Sequence, residues 1–167
     1  MKLNKIFQKL NWNIFSKIKI FQKESKIQIT DLDDNSEVVR IDQIGITNLG
    51  TGAVILKTDS GKEFPISAFS TETAKIISMF HEYKQVEIPS MYHMVEQICE
   101  ELEMLLVKVR IYYDGNALRS NLYFTGKKEL ILRNYRASDA IALAAFYNIP
   151  ILLKKDMLEK STKIKSK

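Results

Sequence analysis

Residues 105 to 133 read LLVKVRIYYDGNALRSNLYFTGKKELILR. Three β-prone runs, Leu105 to Tyr113, Ala117 to Phe124 and Glu129 to Arg133, are divided by the turn-formers Asp114-Gly115-Asn116 and Thr125-Gly126-Lys127. Glycine supplies the positive φ that tight turns need, so the stretch predicts an antiparallel meander. Strict alternation from Leu105 sets Val107, Val109 and Ile111 on its face and Lys108, Arg110 and Tyr112 on the other, the pattern of a half-buried sheet.

The same grammar occurs once more upstream. Val38 to Thr47, Gly52 to Thr58 and Lys62 to Ile66 are β-branched segments separated by Asn48-Leu49-Gly50-Thr51 and Asp59-Ser60-Gly61. Each meander leads to a helical pattern. After the first, Ser70 or Thr71 precedes Ala74, Ile76, Ile77 and Phe80, with Glu72 in the first turn where a carboxylate suits the helix dipole. Pro89-Ser90 opens a second helix to about Met104. After the second meander, a third helix follows Ser138 and spans Asp139 to Tyr147, and Ile149 to Leu153 is a last short strand. The expectation is an α+β domain: two antiparallel β-meanders with helices packed on the sheet faces.

Composition fits one such domain. The chain has 167 residues, 46% of them apolar, with six glycines and three prolines, enough for one core and neither collagen-like nor wholly disordered. Cys99 is the single cysteine, which excludes an internal disulfide and multi-cysteine metal sites and suits a reducing compartment. Met91, Met94, Val95, Ile98, Leu102 and Leu105 recur around it at helical spacing, so a buried position is expected. No run of 18 apolar residues and no secretory h-region is present, and a cytoplasmic location is expected.

Of the net charge of +5, residues 1–23 contribute +6 and residues 154–167 contribute +4, which leaves −5 on residues 24–153. The basic character belongs to the tails. Leu3, Ile6, Phe7, Leu10, Ile14, Ile18 and Phe21 step by three and four among Lys2, Lys5, Lys9, Lys17 and Lys23, as in a basic amphipathic helix. Such a helix docks on a membrane surface, on a partner or on its own domain. Asp31 to Ser36 is loop chemistry, so the organisation expected is a leader over residues 1–35, a domain over 36–160 and a basic tail over 161–167.

The run Arg136-Ala137-Ser138-Asp139-Ala140-Ile141-Ala142-Leu143-Ala144, continued by Asn148-Ile149-Pro150-Ile151, resembles the signature of the bifunctional nuclease (BFN) domain, D-x-R-P-S-D-A-I-A-L-A. Gly52 to Ile77 resembles the first half of that domain through Phe64-Pro65-Ile66 and Glu72. Asn134 stands where the family has Asp, Ala137 where it has Pro, and Ser67-Ala68-Phe69 where it has Trp-Ile-Gly; His93 lies one residue out of register with a family histidine. The resemblance implies nuclease activity on RNA and DNA, with Glu72, Arg136, Ser138 and Asp139 as its matched site positions.

Phosphodiester hydrolysis calls for carboxylates that hold a divalent metal or activate water, and for a cation on the phosphorane charge. Glu72 and Asp139 are therefore the candidate metal ligands, for Mg²⁺ or Mn²⁺, with Arg136 on phosphate. Capping chemistry is the competing account of the same residues: Ser138 capping a helix, Asp139 meeting its dipole and Arg136 pairing with a carboxylate. His81 and His93 have no supporting constellation, and no HExxH, P-loop, GxSxG or EF-hand pattern occurs. Arg110, Arg119, Lys127 and Lys128, interleaved with Tyr112, Tyr113, Tyr123 and Phe124, are the candidate RNA- or DNA-binding set. Two functions are carried forward: a nuclease, and a non-enzymatic oligomeric adaptor with the same fold. A homo-oligomer is expected, because the edges of two short meanders need cover.

Overall fold

A computed structural model describes residues 35–82 and 90–159. The expected N-terminal amphipathic helix and the basic tail beyond residue 159 lie outside the described residues.

The elements are β1 (Ser36–Ile46), β2 (Gly52–Thr58), β3 (Glu63–Phe69), α1 (Thr71–His81), α2 (Met91–Glu101), β4 (Met104–Tyr113), β5 (Leu118–Gly126), β6 (Leu130–Arg136), α3 (Ala137–Tyr147) and β7 (Ile151–Lys154). Both meanders form as expected, but they are halves of one seven-stranded sheet of order β3-β2-β1-β7-β4-β5-β6. The joining strand is β7, antiparallel to β1 and parallel to β4. Ile151 lies opposite Val39 on one side and Val109 on the other, so a buried apolar row crosses the junction.

One face of the sheet packs on helices. Val54 and Leu56 of β2, Ile66 of β3, Ile151 and Leu153 of β7, Leu106, Val109 and Ile111 of β4, and Leu122 and Phe124 of β5 are buried there with Ala74 and Ile77 of α1 and Ala140, Ile141 and Ala144 of α3. β2 alternates buried and half-buried residues without a break, which is why its limits match the sequence pattern. β4 does not. Its pairing with β5 shifts register between Leu106 and Lys108, and this bulge moves the core positions to Leu106, Val109 and Ile111, leaving Leu105 and Val107 half-buried instead of in the expected row. Helix α3 is apolar on nearly every side, with Ala137, Ser138, Ala140, Ile141, Ala142 and Ala144 buried, and packs on α1 and on β4 to β6.

Helix α2 departs from the sequence reading in two respects. It ends at Glu101, and Met104 belongs to β4; Glu103 takes a left-handed φ of 50° between them and brings its carbonyl against Gly126, where a Cβ would meet that oxygen at 2.1 Å. Tyr92, Val95 and Cys99 turn inward, whereas Met91, Met94, Ile98 and Leu102, grouped with Cys99 by spacing, stand exposed. Among the described residues no helix is long and apolar enough to cross a membrane.

The β4–β5 turn depends on one carboxylate. Asp114 Oδ1 accepts the backbone N–H groups of Asn116 (2.8 Å) and Ala117 (2.9 Å), and Oδ2 accepts Arg119 Nε at 3.0 Å. These bonds, the backbone pair foremost, hold its pKa down from 3.8 to about 2. A depressed carboxylate stabilises the fold above its unfolded pKa and loses that contribution as pH falls through the folded one. Asp114→Asn is therefore expected to melt earlier than wild type at pH 6, with the gap closing between pH 3.8 and about 2; thermal melts across that window check it.

Candidate functional site

Two strand-to-helix junctions supply the charged residues. At the β3–α1 junction, Ser70 is the N-cap and its hydroxyl accepts the N–H of Thr73 at 3.1 Å, which fixes Glu72 in the first turn with an exposed side chain. At the β6–α3 junction, Arg136 and not Ser138 is the N-cap; the helix begins two residues earlier than the capping pattern suggested, and Ser138 lies inside its first turn, 8% exposed. The extended backbone of Arg136 leaves its side chain free to fold over that turn. Its Nε reaches Asp139 Oδ2 and its Nη2 reaches Asp139 Oδ1, both at 2.9 Å, a bidentate pair in solvent. Donation of these hydrogen bonds to Asp139, then the charge of that carboxylate, raises the Arg136 pKa further.

Ser120 on β5 secures this junction from below. It is fully buried, and its hydroxyl lies 3.1 and 3.2 Å from the carbonyls of Tyr135 and Arg136, the last two residues of β6. Arg119 is paired with Arg136 across β5 and β6, so the two guanidinium groups start from neighbouring positions and each has its own carboxylate, Asp114 and Asp139. Asn134, at the family's Asp position, has a φ of 65°, a conformation that asparagine tolerates better than most residues. It accepts a hydrogen bond from the Tyr112 hydroxyl and donates its backbone N–H to Asn121 Oδ1.

The sequence reading missed Tyr92. Helical spacing puts Glu72, Ile76 and Phe80 along one side of α1 and Asp139, Leu143 and Phe146 along one side of α3. The two stripes end in rings that touch, Phe80 and Phe146, with centroids 5.0 Å apart. Tyr92 packs on both, at 5.0 Å edge-on to Phe80 and 6.0 Å from Phe146. Burial pushes its phenol pKa up, Asp139 pushes the same way, Arg136 opposes and Glu72 adds to the rise. One half-buried hydroxyl thus sits in the fields of all three charged residues, and it is held protonated, as a donor. Nothing in the sequence marks Tyr92, since its partners lie 20 and 47 positions away in the chain.

The two neighbouring residues with reactive side chains are committed to structure. His93 Nδ1 accepts the Ser90 backbone N–H at 3.1 Å and lies 3.0 Å from its hydroxyl, closing the start of α2, while its ring meets Phe146 at 5.0 Å. Cys99 is buried as expected; burial raises the pKa of its thiol and of the adjacent Tyr147 phenol.

The four basic candidates on the second meander are not gathered into one patch. Arg119 sits by the β4–β5 turn on Asp114, and Lys127 lies past the other end of β5, 2.7 Å from Glu103; nine strand residues separate those ends by about 30 Å. Lys128 is exposed next to Lys127, and Arg110 is half-buried on β4. Lys108, on the same face of β4, lies 5.0 Å from the Tyr123 ring centroid.

Among the described residues no group of three or more His, Cys, Asp or Glu side chains can hold a metal ion. Glu72 and Asp139 give two carboxylates at most, and both oxygens of Asp139 already accept from Arg136.

The sequence profile of the bifunctional nuclease domain matches residues 54–166. The matched span holds Glu72, Tyr92, Arg136, Ser138 and Asp139. No curated protein matches the chain.

Proposed function

Since the chain belongs to the bifunctional nuclease domain family, we propose that it hydrolyses phosphodiester bonds of RNA or DNA at the cluster of Tyr92, Asp139, Arg136 and Glu72. The observation that carries this reading is the Tyr92 phenol, half-buried on Phe80 and Phe146 and in the fields of both carboxylates and the guanidinium. A perturbed titratable group beside charged residues is a physical pointer to a functional site.

Each residue has a task suited to its geometry. Arg136 uses Nε and one N–H of Nη2 on Asp139 and keeps its remaining N–H groups for a phosphate oxygen. Asp139 fixes that guanidinium in place. Glu72, exposed in the first turn of α1, accepts the proton of the attacking water or ribose hydroxyl. Tyr92, neutral, donates to the oxygen on which charge develops. Ser138 is buried and supports the first turn of α3 without touching substrate.

The test is cleavage of end-labelled single-stranded RNA and DNA by the full chain in Mg²⁺, in Mn²⁺ and in EDTA. The expected result is cleavage of at least one substrate, retained in EDTA because the chemistry above runs on side chains. Loss on chelation would mean that substrate phosphates complete a metal site the protein does not build alone. Absence of cleavage in all three conditions would favour the second reading, a non-enzymatic adaptor, for which one observation speaks: both oxygens of Asp139 are already occupied by Arg136.

A further inference from the structure

Helix α2 carries a second apolar stripe that the site does not use. Met91, Met94, Ile98 and Leu102 stand in solvent at 72, 51, 50 and 58% exposure. Of the ten large apolar side chains exposed among the described residues, these four alone share one helix face. Their spacing of three, four and four residues is that of a helix–helix seam.

The sheet edges do not offer the same opportunity. Pro65 lies within β3 and lacks a backbone N–H, and β6 carries the left-handed Asn134 between Arg133 and Tyr135. Self-association through edges, the reason first given for an oligomer, is thus blunted on both sides.

We propose that α2 pairs with α2 of a second copy of this chain, antiparallel about a two-fold axis near the middle of the stripe, between Glu96 and Gln97. Charge selects this occupant and this direction. The C-terminal half of α2 carries Glu100 and Glu101 and no base in its last turn; the N-terminal half carries no acid in its first turn. Each helix end therefore lacks the charge that its dipole favours. An antiparallel copy brings its acidic half to the positive N-terminus of this helix and receives the same in return, an isologous contact. Parallel pairing would instead set the acidic halves side by side, and the same acids repel anionic lipid and nucleic acid. Four side chains on one helix make a small contact beside the roughly 800 Å² per partner of standard interfaces, so the dimer is expected to form in the micromolar range.

Sedimentation equilibrium of the full chain from about 1 to about 200 μM tests this across the range a small interface spans. The mass should rise from 19.3 kDa toward twice that value. The double variant Met94→Glu, Ile98→Glu changes positions half in solvent, should keep the wild-type circular dichroism, and should weaken association at least about tenfold. Ile98→Cys, which leaves the fold untouched, should give a disulfide-linked dimer on oxidation, whereas Lys75→Cys on α1 should not. A chain monomeric throughout, including one that takes up lipid vesicles as a monomer, overturns the proposal. So does a glutamate variant that associates like wild type, or a dimer that Ile98→Cys fails to trap.

Discussion

Asp139→Asn is expected to lower the rate of nucleic-acid cleavage at least about 100-fold, the loss typical of removing one preorganised electrostatic contact from an active site. Asparagine keeps the size of the side chain and one acceptor for Arg136, but removes the charge that clamps the guanidinium in its bidentate geometry. Stability should change by no more than about 1 kcal/mol, because the pair is exposed, 72% and 41%, and solvent screens it. Tyr92→Phe should separate catalysis from packing further. Phenylalanine retains the ring contacts with Phe80 and Phe146 and deletes only the hydroxyl, so a fall of about 10- to 100-fold in rate with an unchanged melting temperature is expected. Spectrophotometric titration supplies a readout that capping alone would not move: in Asp139→Asn the Tyr92 phenol loses one of the negative neighbours that raise its pKa, and should ionise at lower pH than in wild type. Because the residues act on one phosphate, the double variant should be little slower than the slower single one. Wild-type rates in both single variants would assign Arg136 and Asp139 to helix capping.

How far the chain could be read follows from the range of the interactions involved. Both meanders and all three helix sites were legible, because alternation, turn-formers and caps act within a few residues: the Asp114 carboxylate makes its own turn, and Ser70 makes its own helix start. The bulge at Leu106 to Lys108 was not, because a strand's composition does not record an extra residue facing its partner. Ile149 to Leu153 was readable as a strand but not as the link between the meanders; its place is fixed by Val39 and Val109, more than 100 and 40 positions earlier in sequence. The site divides the same way. Glu72, Arg136 and Asp139 came from a motif, and all three act on the pKa of one phenol, Tyr92. Tyr92, which brings them into one chemical environment, and Ser120, which holds the β6–α3 junction, belong to no local pattern. On α2, periodicity showed that apolar residues recur but not which of two stripes meets the core; Tyr92, Val95 and Cys99 won that contact, and Met91, Met94, Ile98 and Leu102 did not.

Leu153→Ala is expected to destabilise the protein by about 4 kcal/mol, the upper part of the range for a leucine truncated where neighbours cannot close the cavity. Leu153 is fully buried, sits on the four-residue strand that joins both halves of the sheet, and lies opposite Ile111 of β4, itself fully buried. With only Ile151 and Leu153 of β7 in the core cluster, the junction cannot transfer the lost contacts to a neighbour on the same strand. Against the 5–15 kcal/mol of a typical domain this is a large share, and it corresponds to a fall in melting temperature of roughly 10 °C. Ile131→Ala, on the outer strand β6 at 38% exposure, should cost well under half of that and serves as the control. The shape of the transition carries as much information as its midpoint. If β7 makes one cooperative unit of the two meanders, wild type and Leu153→Ala both melt in a single step whether followed by tyrosine fluorescence or by backbone ellipticity. Two resolved steps in the wild type would mean that each meander, with its own helices, is stable alone, and that β7 merely abuts them.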